Sequence, residues 1–352
     1  MFCHQCGNEA SIGSAFCHAC GAALHSVGAP AGPPAGSPAG PPVWPPTISP
    51  PAQARTHRPL TVAPVGGYFL SPDEYISPHD RSAMQSLQST GELNRLVQTF
   101  VGKYGKPWLE TSFLGNGVRV GPDQLPLLYR LAGEIGEIFC LTRLPDIYAV
   151  NLYNTPLAIA RGTRTATIGT DTESFVVLDA RLLGRLADPQ LTIEQLRRDP
   201  IAFLLAGELC HVALGHALWL GITLWISLRG PSGLAGLISR PLVMPLIFWA
   251  RQAVLSSDRG VLLATGAYEE YRQSLLANLV AIPRLVPQIN VEAYLRQVEG
   301  RNEGVSRLFE GVSSTMPYIA RRLTALSEFT QDPAYPQLRG RVEAFLRAEG
   351  RV

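Results

Sequence analysis

Residues 206–216 read AGELCHVALGH. With DPIAFLL before it and ALWLGITLWISL after it, the stretch predicts one long apolar helix over 199–228. Successive residues of a helix turn by about 100°, so positions i and i+4 share a face. A helix that aims two imidazoles at one cation places histidines at those positions, and a carboxylate after the first polarises a bound water. Glu208 and His211 occupy the carboxylate and second-imidazole positions, but the first imidazole position is Gly207. On a continuous helix His216 lies about 140° round from His211 and Cys210 about 100° off the face. Neither is therefore expected to share a cation with His211.

Outward from this helix the chain is mostly helical. SAMQSLQ, GELNRLVQTFVGKYG and 122–141 precede it as amphipathic helices. DIYAVNLYN (146–154), LAIARGTRTATIG (157–169) and SFVVLDA (174–180) read as strands, the middle one as a hairpin or bent strand. RLLGRL then opens a helical region. RGPSG breaks the pattern at 229–233, and helical patterns resume through 234–266, YEEYRQSLLANLVAIP, VEAYLRQVEG, MPYIARRLTALSEF and LRGRVEAFLRAEG. The expected body is mainly α with a small β-sheet. The apolar runs 212–228 and 234–250 are about 17 residues each, the lower limit for a membrane span. His216 interrupts the first and Arg240, Pro241 and Pro245 the second. A packed helical hairpin at about 212–250 is the expectation, with peripheral membrane contact through it left open.

The 352 residues are 46% hydrophobic and 16% charged, with mean hydropathy +0.10. Net charge is +2, so nothing draws the chain as a whole to nucleic acid or anionic membrane. Twelve of the 29 prolines fall in 28–64, too dense a run of proline and glycine to bury a core. Of six cysteines, Cys140 and Cys210 stand alone in apolar patterns and read as small buried hydrophobes. The other four form Cys3-x-x-Cys6 and Cys17-x-x-Cys20, each pair followed by glycine. Two such knuckles supply the four sulfurs of a tetrahedral structural zinc. A disulfide pair or an iron centre fits the short spacing less well. Four sulfurs leave no open position, so this module binds or docks and does not activate water. With no basic start or apolar run at MFCHQCG, a cytoplasmic location is expected, membrane association remaining open.

Several ordered segments carry a resemblance. CHQCGNEASIGSAFCHACGAAL is similar to the bacterial zinc ribbon. DEYISPHDRSAMQSLQ, the strand block 144–186, AGELCHVALGH, SSDRGVLLAT and TMPYIARRLTALSEF follow in the order of five segments of one peptidase family. From about residue 68 to 347 the chain resembles the zinc peptidases that include the CAAX prenyl protease and the HtpX heat-shock protease. The resemblance implies a zincin-like α+β body over 67–350, behind a zinc ribbon (1–24) and a Pro/Gly-rich linker (25–66). It places the family's first zinc histidine on Gly207, its general base on Glu208, its second histidine on His211 and its third ligand on Val254. The family's late histidine falls on Met316, and its aspartate that holds a ligating histidine falls on Asp258. Two of three zinc ligands are thus replaced.

A catalytic zinc needs three protein donors plus water, and a lone imidazole does not hold it. A second, catalytic zinc is therefore not expected. Glu208 and His211 read as a hydrogen-bonded pair left in the core, and Asp258 as an inter-helix salt bridge. The expected function is a catalytically inactive homologue that binds protein or peptide partners through the ribbon or the cleft, not nucleic acid. The alternative is an active metalloendopeptidase with Glu208 as general base, its ligands rebuilt from His211 with His216, Cys210, Asp258 or Glu269.

Overall fold

The computed structural model describes residues 70–89, 115–151, 165–169, 174–229, 240–280, 283–299 and 317–351. The chain divides into two units, Met1–Thr56 and His57–Val352, and all described residues lie in the second. The cysteine module, the proline-rich segment, GELNRLVQTF, the first part of 157–169, and Met316 lie outside the described residues.

Proline at the first helical turn and a polar residue before it start several helices, because proline lacks the amide a helix start leaves unpaired. Ser77 precedes α2 (Pro78–Gln88), and Asp199, whose carboxylate accepts from Ile201 N at 3.0 Å, precedes α5 (Pro200–Ala213). The short helix α1 is Pro72–Tyr75, α3 is Pro126–Ile138 and α4 is Ile193–Leu196. Helix α6 (Ala217–Arg229) and the 26-residue α7 (Arg240–Thr265) follow α5. Then come α8 (Tyr268–Val280), α9 (Val291–Glu299), α10 (Ile319–Gln331) and α11 (Ala334–Ala348). A stretch of 3-10 helix, Ala180–Ala187, takes the place of the helical region read from RLLGRL.

The sheet has four strands in the order β1-β2-β4-β3: β1 Gly117–Arg119, β2 Asp146–Val150, β3 Thr165–Gly169 and β4 Ser174–Asp179. β2 and β4 are parallel; β1 and β3 run antiparallel to their neighbours. The short strand β1 carries no sequence pattern that announces it. Both faces of the sheet are buried, which is why DIYAV and SFVVL are nearly continuous in apolar residues rather than alternating. Ile147, Ala149, Val176 and Leu178 share one core with α3 and α5. Tyr148, Val150, Ile168, Phe175 and Val177 share a second with Trp219 and Ile222 of α6 and Leu246 and Trp249 of α7. The body is thus mainly α with a small mixed sheet, as its sequence pattern predicts.

The long helix predicted over 199–228 is two helices. Pro200–Ala213 and Ala217–Leu224 meet at a bend of 112°. Gly215 adopts φ +69°, and three amides turn back on the helix end: Leu214 N to Cys210 O, Gly215 N to Val212 O and His216 N to His211 O. This is the Schellman closure, in which a left-handed glycine ends a helix whose apolar pattern would let it continue. Among the described residues no single helix is long and apolar enough to cross a membrane; the bent pair passes that test of length and composition only when its halves are taken together.

Helices α5 and α7 approach closely because one side of the contact is glycine. A Cβ on Gly260 would stand 2.4 Å from Cys210 Sγ and 2.8 Å from Cys210 Cβ. Cys210 is fully buried there and donates toward Ser256 O at 3.7 Å. Gly266, at φ +66°, ends α7, and Arg339 of α11 donates to Leu263 O at 2.7 Å, satisfying a carbonyl the helix end leaves free.

Candidate functional site

The crossing of α5 and α7 brings most of the singled-out residues together, and β3 closes it from the sheet. Glu208 is half-buried on α5. Thr165 Oγ1 donates to its Oε1 and Thr167 Oγ1 to its Oε2, and the Thr167 hydroxyl also lies 3.1 Å from the Glu208 carbonyl. Thr165 and Thr167 are two apart on a strand, so both hydroxyls point from the same face. Burial pushes the Glu208 pKa up and the two hydroxyls pull it part of the way back. Glu208 thus takes its hydrogen bonds from the sheet, rather than from His211 as its sequence position suggested.

His211 pairs instead with His216. Their Nδ1 atoms are 3.1 Å apart and both rings are buried. On an unbroken helix the two rings would stand about 140° apart; the turn at Gly215 folds His216 back over the end of α5. On its other side His216 Nε2 lies 3.4 Å from Asp80 Oδ2. Asp80, fully buried on α2, accepts from Trp249 Nε1 at 3.0 Å and Ser256 Oγ at 2.5 Å. Ser256 Oγ in turn accepts from Ser77 N at 2.9 Å, which ties the start of α2 to α7.

Burial sets the protonation of this row. It lowers the His211 pKa to about 4, with the Arg322 charge adding to the effect, and lowers His216 well below its ordinary value, with His211 adding. Burial raises Asp80 to about 6 against its two hydrogen bonds, which pull the other way. Both imidazoles are then neutral at pH 7. With the His216 proton on Nε2, toward Asp80, its Nδ1 accepts from His211 Nδ1–H, and His211 Nε2 keeps its lone pair.

Asp258 lies on α7 and is buried. Arg322 of α10 grips it with Nε to Oδ2 at 2.9 Å and Nη2 to Oδ1 at 2.6 Å, and Tyr271 of α8 donates to Oδ1 at 2.6 Å. This bidentate pair locks three helices, and its geometry is the strong form of a buried ion pair. Arg322 was not singled out by sequence. The signal was present, since a buried aspartate on an apolar helix needs a cation, but several arginines could have supplied it.

Gly207 faces α7. A Cβ there would stand 2.9 Å from Ser257 Oγ and 3.6 Å from Val261 Cγ2, and Ser257 Oγ donates to Gly207 O at 3.1 Å. Val254, Ser257 and Val261 recur at three- and four-residue steps, one stripe of α7. Position 207 therefore points at the stripe that carries Val254, itself buried. Glu269, a candidate for a rebuilt ligand set, is bound to Arg272 at 2.5 Å on the surface of α8.

Against known proteins, the chain is similar to the plastoglobule-localized metallopeptidase 48 of the Arabidopsis thaliana chloroplast, at 25% identity over 239 residues. The match covers 67% of this chain and 64% of that protein, so the chain spans just under two thirds of that relative's length. No family model matches the chain, and no solved structure matches it. The similarity makes the protein metallopeptidase-like. A catalytic zinc, which such a relative implies, needs three protein donors. The described side chains around Glu208 do not fit it. Gly207 and Val254 offer no donor, the Glu208 oxygens face threonine hydroxyls, and among the described residues no three His, Cys, Asp or Glu side chains converge as a metal group.

Proposed function

We propose that this metallopeptidase-like protein binds an extended peptide without hydrolysing it, as a scaffold or regulator, and that its zinc is the structural ion of Cys3, Cys6, Cys17 and Cys20. The observation that carries the reading is the environment of Glu208. A general base must reach the water it activates, and both of its carboxylate oxygens are held against the sheet by Thr165 and Thr167, with no donor at Gly207 or Val254 to bring a metal-bound water to their remaining lone pairs. Peptide binding is supported by the sheet order. β3 is an end strand, paired on one side only among the described residues, and an end strand offers backbone groups to an added strand without any metal.

The test is elemental analysis of the full chain beside a peptide-library assay for cleavage and for binding. One zinc per chain, lost when the four N-terminal cysteines become serine, with binding and no cleavage, is the expected result. Cleavage that disappears in Glu208→Gln would overturn the proposal.

A second reading, an active metalloendopeptidase with a rebuilt site, draws on the 3.1 Å approach of the His211 and His216 Nδ1 atoms. Asp80 behind His216 resembles the carboxylate that often orients a metal-binding histidine. Zinc retained at one equivalent by the four-cysteine variant is the result that would favour it.

A further inference from the structure

We propose that the start of α10 and the turn of α7 packed against it form a receptor for a carboxylate group, with Arg321 and Gln252 as its donors. The inference rests on the reading that this protein binds peptide, and it names a chemical feature of that peptide. Arg321 and Arg322 are neighbours on α10 with unlike surroundings. Arg322 has its acid in Asp258. Arg321 has no acid among the described residues; its Nη2 donates at 2.8 Å to Gln252 Oε1, a neutral amide oxygen. Gln252 is 1% exposed. Arginine only donates, so the amide oxygen of Gln252 faces Arg321 and Nε2 occupies the other branch of the carboxamide. That nitrogen is buried and finds no acceptor among the described residues. A buried donor without an acceptor is rare and costly in a folded protein, and here it calls for an acceptor from outside the fold.

The helix start adds to the same sign of charge. α10 is 13 residues long, and the positive end of its dipole lies at Ile319. Tyr318, the residue before it, does not cap it with its side chain. Of the first amides, that of Ala320 donates to the Tyr294 hydroxyl. Side chains of a helix lean toward its N-terminus, so Arg321, in the first turn, carries its guanidinium toward that end. Charge selects the ligand. One guanidinium without an acid matches one negative charge, and its planar fork takes the two oxygens of a carboxylate while an amide N–H reaches a remaining lone pair. A phosphate dianion would leave charge unmatched. The carboxylate enters from the side of Arg321, which is half-buried, and a rotamer change of that long side chain opens the way to Nε2. The neutral hydrogen bond given up is replaced by charge-assisted ones, about twice as strong. Exposed aromatic rings stand one turn before each donor, Tyr318 before Arg321 at 40% exposed and Phe248 before Gln252 at 53%. They offer apolar contact to a peptide anchored by its carboxylate.

The experiment is capture of a positional-scanning library of short peptides on the immobilised full chain. Each position in turn is fixed as glutamate or as glutamine, and every set is made with a free and with an amidated C-terminus. A preference of about tenfold is expected for members that carry the carboxylate. It falls on the fixed glutamate if the group is an acidic side chain and on the free C-terminus if it is terminal. Arg321→Gln should abolish the preference; it keeps a donor for Gln252 Oε1, and an equal melting temperature shows that the fold is intact. Gln252→Glu should abolish it too, because it supplies the missing acid from within and leaves Arg321 in place. Equal retention of acidic and neutral members, or a preference that survives in either variant, overturns the site and leaves peptide binding standing. If the wild type retains no peptide, the peptide reading fails and acetate decides the site alone. Acetate at about 0.1 M should then raise the melting temperature by about 1–2 °C over chloride of equal ionic strength in the wild type only. The same response to acetate in wild type and Arg321→Gln overturns the site.

Discussion

Replacing Asp80 with asparagine is predicted to steepen the rise of stability with pH between about 4 and 6. Asp80 titrates from 3.8 to about 6 on folding, so the folded state holds its proton more tightly. That contribution is fully present below 3.8 and is lost as pH rises through about 6. Two pH units at about 1.4 kcal/mol each give a loss of about 3 kcal/mol. His211 runs the other way, from 6.5 unfolded to about 4 folded. Its unfolded form binds the extra proton, so stability grows by about 3 kcal/mol as pH rises across the same window. The two cancel in the wild type, leaving the rise due to His216, whose pKa is also lowered. Asparagine removes the falling component alone and adds about 1.4 kcal/mol per pH unit to the slope. It also replaces an acceptor of the Trp249 and Ser256 hydrogen bonds, a penalty of about 1–3 kcal/mol that does not vary with pH. The slope is therefore the readout, taken from urea unfolding at several pH values with equal m-values in both proteins. Equal or shallower slopes in Asp80→Asn would refute the raised Asp80 pKa on which the slope rests.

Three further outcomes follow from particular contacts. Gly260→Ala should destabilise the body by about 2–3 kcal/mol, since its Cβ would overlap Cys210, and the gain in helix propensity of about 1 kcal/mol does not offset that; an unchanged melting temperature would show that α5 and α7 separate freely. Thr165→Val with Thr167→Val should lower stability by about 2–4 kcal/mol because the Glu208 carboxylate loses both donors, whereas Glu208→Gln should be neutral or stabilising at pH 7; the opposite order in thermal melts would mean that Glu208 is not held by the strand. Gly207→His alone should leave zinc uptake unchanged, while Gly207→His with Val254→Glu should gain one equivalent, because position 207 points at the stripe that carries Val254. Stoichiometric zinc in the single variant, read by elemental analysis, would reveal a donor that neither reading includes.

Much of the architecture is legible in local pattern. The strands DIYAV and SFVVL announce themselves through β-branched and aromatic residues, and the helices through apolar periodicity and their proline starts. β1 is not legible, because three residues held by pairing to β2 need no propensity of their own. The partners of buried charges are not legible either. Asp258 is 64 residues from Arg322 and Asp80 is 169 from Trp249, and such pairs depend on which helices cross.

The break at Gly215 shows how one backbone choice changes the chemistry of a site. AGELCHVALGHALWL satisfies the apolar pattern of a helix on either side of the glycine, so periodicity alone runs straight through it. In that reading His216 is directed away from His211. What ends the helix is burial of the two halves in different cores: α5 lies with Ile147 and Val176, and α6 with Phe175 and Ile168, the opposite faces of one sheet. A straight helix cannot serve both faces, and glycine is the residue that accepts the left-handed turn at little cost. The turn then sets His216 between His211 and Asp80. Position 207 carries no side chain, and the turn brings no donor to that place. His211 is tied into a buried row that runs to Asp80, while Glu208 is tied to the sheet. Glu208 and His211, one turn apart on α5, are thus divided between two separate hydrogen-bonded groups, and zinc ligands introduced beside them would have to compete with both.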